Sequence, residues 1–218
     1  MLREIITLIY KELLLEWKQR YAFNGLLLYV ISMVVVISLA FAGQLSLQTW
    51  NILFWIMILF VAVNAVAKSF MAEQVAHLMY LYGVARPASV MIAKIIYNTV
   101  LMALIALLTL GVYIFLSQQV PADPAMMAGI VVLGSSSFAA NLTLISAIAA
   151  RADNSTTLLA VLSFPLTVPV LLLLIRYSRY AIEGLAVTTG VNNLWYLAGI
   201  TLALAVASVL LYPFVWRE

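Results

Sequence analysis

No cysteine occurs in the 218 residues, which excludes a disulfide framework, a thiolate metal site and a cysteine nucleophile. Histidine occurs once, as His77, with no second His, Asp or Cys beside it in the sequence. A lone His among polar neighbours reads as a surface residue. Charge is scarce: Asp, Glu, Lys and Arg together make 9% of the chain, against about 25% in soluble domains. There is no G-x-x-x-x-G-K-[ST] phosphate loop, no G-x-S-x-G and no H-E-x-x-H, so neither ATP hydrolysis of the chain's own nor these hydrolase chemistries are encoded. No ionisable residue falls in the middle of any long apolar run, with Lys94 at the end of one. An ion-coupled carrier needs midplane groups that change charge, and their absence counts against that class.

What is present is apolar. With 66% hydrophobic residues and a mean hydropathy of +1.13, the composition predicts an all-α, polytopic membrane protein built as one transmembrane domain. The net charge of +3 reflects where loop lysines and arginines lie and is not a nucleic-acid signal. The opening 1–21 reads as an interfacial helix, with Arg3, Glu4, Thr7, Lys11 and Lys18 on one face and Ile5, Ile6, Ile9, Leu13 and Trp17 on the other. It carries no signature of a cleavable leader.

Spans are expected at about 23–42, 50–67, 90–116, 125–149, 158–175 and 194–216, each long enough for a hydrocarbon core of about 30 Å. The turn containing Gly43 and Gln44 makes the first two an antiparallel hairpin. Lys94 should snorkel to the interface from the start of the third. In the fourth, Ser135, Ala139, Thr143, Ser146 and Ala150 recur at helical spacing, a small-residue stripe suited to close helix packing near a dimer interface or, alternatively, to lining a polar route. The fifth holds Pro165 and Pro169, each of which removes a backbone donor and predicts a kinked, moving helix. From Arg176 to Asn193 the ends are polar and the centre apolar, which fits a short helix dipping into the outer leaflet. Nine of the eleven basic residues fall on one side, leaving Arg176 and Arg179 on the other, so both termini are expected in the cytoplasm.

Between the second and third spans lies KSFMAEQVAHLMYLYGVARPASVMIAK, residues 68–94, the longest polar interruption that still has helical periodicity. Residues 69–83 read as an amphipathic helix too short and too polar to cross, closed by Gly83 and Arg86-Pro87. A permease lacking coupling charges and a nucleotide site must receive work from a partner, and this helix is the candidate contact. Phe70, Leu78 and Met79 are expected to be its buried anchors, with Glu73 pairing a basic residue and His77 at the rim.

Three stretches resemble the haem exporter protein B family (CcmB) of cytochrome c maturation: IYKELLLEWKQR, the segment opening KSFMAEQVAHLMYLYGVARPAS, and ISAIAARADNSTTLLAVLSFPLTVPVLLL. The family's cytoplasmic motif is similar to F-x-x-D-x-x-D-G-x-x-E. Phe70 and, conservatively, Glu73 match it, whereas Ala76, His77 and Tyr80 depart from it. The resemblance implies an ABC-2-like, type V exporter permease of the bacterial inner membrane, dimeric and bound to a separate CcmA-like ATPase that uses ATP. It further implies CcmC-like and CcmD-like membrane subunits and a periplasmic haem chaperone, with haem as cargo. Met126 and Met127 are the available, weak candidates for axial haem ligands. The same architecture would also serve export of a polysaccharide, lipid or drug, or a non-transporting scaffold that releases the chaperone.

Overall fold

The computed structural model describes residues 2–18, 20–41, 45–66, 86–150, 155–184 and 187–217, and every regular element among them is an α-helix. They are α1 (Leu2–Lys18), α2 (Arg20–Phe41), α3 (Leu47–Val66), α4 (Pro87–Ser117), α5 (Pro124–Ala149), α6 (Ser155–Glu183) and α7 (Val187–Arg217). All but α1 are long and apolar enough to cross a membrane. In hydrocarbon a lone segment must close its own backbone hydrogen bonds, which a helix does, and so β-branched runs such as Val34-Val35-Val36 stay helical here. The chain is thus an all-α, polytopic membrane protein.

The spans run alternately up and down. At one end, called the near end, Leu8 of α1 packs on a cluster of Val90, Met91, Leu144 and Tyr212. At the far end, Trp50 of α3 donates from its indole to Ser117 of α4 at 2.9 Å, and Gln119 reaches the Leu45 carbonyl. The helix α5 is the hub, with 72% of its span buried inside the chain, against 11% for peripheral α2. Large exposed side chains such as Leu28, Leu39, Val161 and Leu202 face outward around this hub, the surface a lipid solvent demands.

Local chemistry sets the ends. The Ser46 hydroxyl accepts from the Thr49 amide at 3.2 Å and starts α3, while Pro87 opens α4 where no amide donor is needed. Gln118 closes α4 in the left-handed region at φ 56°, its side-chain amide donating to the Phe115 carbonyl at 2.7 Å. Asp123 caps α5, accepting from the Met126 amide at 2.9 Å.

One expectation is overturned here. Residues 176–183 do not form a separate short helix; they extend α6, and α7 begins only four residues after Glu183. The reason lies in the loop before α5: the amides of Ala122 and Asp123 donate to the carbonyls of Ile182 and Ala181 at 3.3 and 2.9 Å. The last turn of α6 therefore has partners for carbonyls that would otherwise be orphaned. Gly184 then ends the helix at φ +67°, and a Cβ there would lie 3.0 Å from that of Ala122.

The hydrophobic core is densest where α3, α4 and α5 meet. Trp50 stacks on Tyr113 with ring centroids 4.7 Å apart, and Phe54 stands edge-on to Trp55, which meets Phe138 of α5 in the same way. Room for the Trp55 ring comes from Gly134. A Cβ at that position would fall 2.7 Å from Trp55 and 2.8 Å from Leu174.

Candidate functional site

At the near end, α1 is bound to the bundle by its acidic residues. Glu4 accepts from the Ser89 hydroxyl at 2.9 Å, and Glu12, two turns on, pairs with the Lys94 ammonium at 3.2 Å. Lys11 flanks the same carboxylate at 3.3 Å. Positions 4, 8 and 12 lie on one stripe, so α1 turns Glu4, Leu8 and Glu12 toward α4 and leaves Ile6, Tyr10, Leu13 and Leu14 exposed. The helix therefore presents Glu4, Leu8 and Glu12 to protein, while Arg3 and Thr7 stay exposed alongside the apolar Ile6, Tyr10, Leu13 and Leu14. Lys94 does not snorkel to water as expected. It is 2% exposed, because α1 covers it and supplies the counter-charge. One turn further along α4, Asn98 donates to the Thr143 hydroxyl at 2.8 Å, and Thr143 donates in turn to the Ala139 carbonyl.

Most of the α5 stripe lies inside the chain: Ser135, Ala139, Thr143 and Ser146 are each 0% exposed, and Ala150, just past the helix end, is half-buried. The close packing of the first four is with helices of the same chain, and no part of those side chains reaches its outer surface. The cause is their small volume, which lets α4, α6 and α7 of the same chain close on α5. The hydroxyls of Ser135 and Thr143 bond back to carbonyls one turn earlier. Pro165 and Pro169 are exposed on α6, and the helix continues through both. Met127 is buried and Met126 half-buried in the first turn of α5, at the far end. Phe70, Glu73, His77, Leu78 and Met79 lie outside the described residues, as does the whole stretch 67–85 joining the near ends of α3 and α4.

The far end contains a second polar constellation, which the sequence reading missed. Asn51 of α3 donates to the Ile175 carbonyl at 2.8 Å and accepts from Ser178 at 2.7 Å, while the Trp55 indole donates to the same hydroxyl at 2.8 Å. This network ties α3 to the extended part of α6. Beside it opens a cavity of about 200 Å³ between the first turns of α3 and the last turns of α6, lined by Ile52, Leu172 and Ile182 together with Arg176, Arg179 and Glu183. Arg179 is held by Glu183 at 2.7 Å, whereas Arg176 has no hydrogen bond or ion pair among the described residues. The available signal was Asn51 itself, an amide one turn inside an otherwise apolar run.

Among the described residues, no three His, Cys, Asp or Glu side chains gather where they could hold a metal ion. The site as a whole is a set of interhelical ties at two ends of a bundle, suited to holding and transmitting helix positions. Comparison with known families matches residues 3–217 to the model described as CcmB protein. No curated protein matches the chain.

Proposed function

Because the chain belongs to the CcmB protein family, the membrane permease component of a haem-export ABC transporter in cytochrome c maturation, we propose that it converts ATP hydrolysis by a separate CcmA-like subunit into helix movement. The movement serves haem export or the loading and release of a periplasmic haem chaperone. The observation that carries this reading is the near-end architecture. The stretch 67–85 connects α3 to α4, which starts at Pro87, about two turns before Lys94, and Lys94 is clamped to α1 through Glu12. Force applied to that stretch would reach α4 and α1 together, and from α4 the central α5 through Asn98 and Thr143.

On this reading the near end, the side to which the sequence assigns nine of the eleven basic residues, is cytoplasmic in the bacterial inner membrane. The permease works as a homodimer with two ATPase copies, alongside CcmC-like and CcmD-like subunits. Docking rests on Phe70, Leu78 and Met79, with Glu73 pairing a basic residue and His77 at the rim. An apolar anchor lost from an interface costs on the order of 2 kcal/mol, and a rim group far less.

Phe70→Ala is therefore expected to abolish co-purification of the ATPase and stimulated turnover while the permease stays inserted and folded; His77→Ala should change little. Retention of full ATPase binding and cytochrome c maturation in Phe70→Ala would defeat the coupling assignment. Cargo is tested separately with the purified complex in liposomes: ATP-dependent haem movement supports export, and chaperone release without movement supports the scaffold.

A further inference from the structure

We propose that the far-end cavity between α3 and α6 is a binding site for the phosphate headgroup of an anionic membrane lipid. The cavity lies where both helices leave the apolar layer, since α3 begins at Leu47 and α6 ends at Glu183. Its two guanidiniums are the only basic side chains the sequence places at this end. Arg179 already has a carboxylate partner in Glu183, so the surplus positive charge in the cavity is that of Arg176.

The shape matches an amphiphile better than a free ion. Leu172 lies one turn, about 6 Å, deeper along α6 than Arg176, and with Ile52 it forms an apolar wall on the membrane side of the arginines. A phosphate held by Arg176 and Arg179 would leave its acyl chains to run down that wall, where Leu172 is exposed to the bilayer. Asn51 is not a free ligand group, because both ends of its amide are engaged by Ile175 and Ser178. It instead fixes the floor of the cavity by locking α3 to α6. At about 200 Å³ the space accommodates a phosphate and the first atoms of its glycerol, with the remainder of the lipid outside.

The test uses the full-length chain purified in a non-ionic detergent and titrated with phosphatidylglycerol or phosphatidylethanolamine, with bound lipid counted by native mass spectrometry. Glycerol 3-phosphate, the same phosphate without tails, forms a third arm. Preferential binding of phosphatidylglycerol is expected, falling about tenfold in the Arg176→Gln, Arg179→Gln double variant, as for loss of a charge-assisted hydrogen bond. The Arg176→Lys, Arg179→Lys variant should retain most of the preference, which separates loss of charge from loss of fold. Equal binding of both lipids, or unchanged phosphatidylglycerol binding in the double Gln variant, would overturn the proposal. So would glycerol 3-phosphate competing as well as the lipid, since the site would then be one for a free anion. The readout is lipid occupancy, so it stands or falls independently of the ATPase coupling.

Discussion

A single glycine decides how three helices meet. At Gly134, hydrogen in place of a methyl lets α5 approach the edge of the Trp55 ring and Leu174 of α6 at once, with Trp55 0% exposed and fixed by its bond to Ser178. The neighbours are a rigid indole and a packed leucine rather than the free end of a flexible chain. Gly134→Ala should therefore lower stability by about 1–3 kcal/mol, the usual cost of overpacking, seen as a fall in the thermal midpoint of the detergent-solubilised protein. Gly129→Ala on the same helix has open space around it and serves as the control, with little or no loss. The need for glycine at 134 was not legible in the sequence, because GSSS within an apolar run says nothing of an indole arriving from a helix some eighty residues away. What was legible was the smallness of Ser135 and Ala139, and they are buried; which chain covers them was not.

At the scale of the element, α1 shows how periodicity can be read correctly and a face still be assigned to the wrong environment. Residues 2–18 are helical as expected, but the expected polar face is split, with Glu4 turned to the bundle and Arg3 and Thr7 left exposed. In a soluble protein the apolar stripe would turn inward, but beside lipid the apolar Ile6, Tyr10 and Leu13 can face outward while Glu4 and Glu12 find partners in the bundle. Lys94 completes the inversion: a lysine at the start of a span looks ready to snorkel until a helix from elsewhere in the chain covers it. Glu12→Ala would withdraw a carboxylate from an ammonium that is 2% exposed, and breaking such a buried pair costs about 3 kcal/mol or more. Lys94→Met leaves Glu12 still beside Lys11 and places an apolar chain in the same space, so it should cost less. The expected result is earlier thermal unfolding and faster proteolysis of α1 in Glu12→Ala than in Lys94→Met; the reverse order would show that α1 is held by Leu8 and the apolar cluster instead. The extension of α6 has the same moral, since Ala122 and Asp123 supply the donors that the local sequence 176–193 lacks.

For the whole molecule, class and span number follow from composition and run length because hydrocarbon admits so few backbone solutions, whereas the interhelical ties depend on long-range pairs that no window of sequence contains. Orientation is the remaining global property, and it is argued from charge: the sequence assigns nine of the eleven basic residues to loops on one side of the membrane and two, Arg176 and Arg179, to the other. The absence of native cysteine makes this directly measurable. Cysteines introduced singly at Gln48 and Val120, both exposed at the far end, should react with a membrane-impermeant thiol reagent added outside spheroplasts. A cysteine at Arg86, exposed at the near end, should react only after the membrane is opened. The reverse pattern would place the near end, with α1 and the stretch 67–85, outside the cell. No cytoplasmic ATPase could then reach it, and the coupling reading would fail even if Phe70 proved essential.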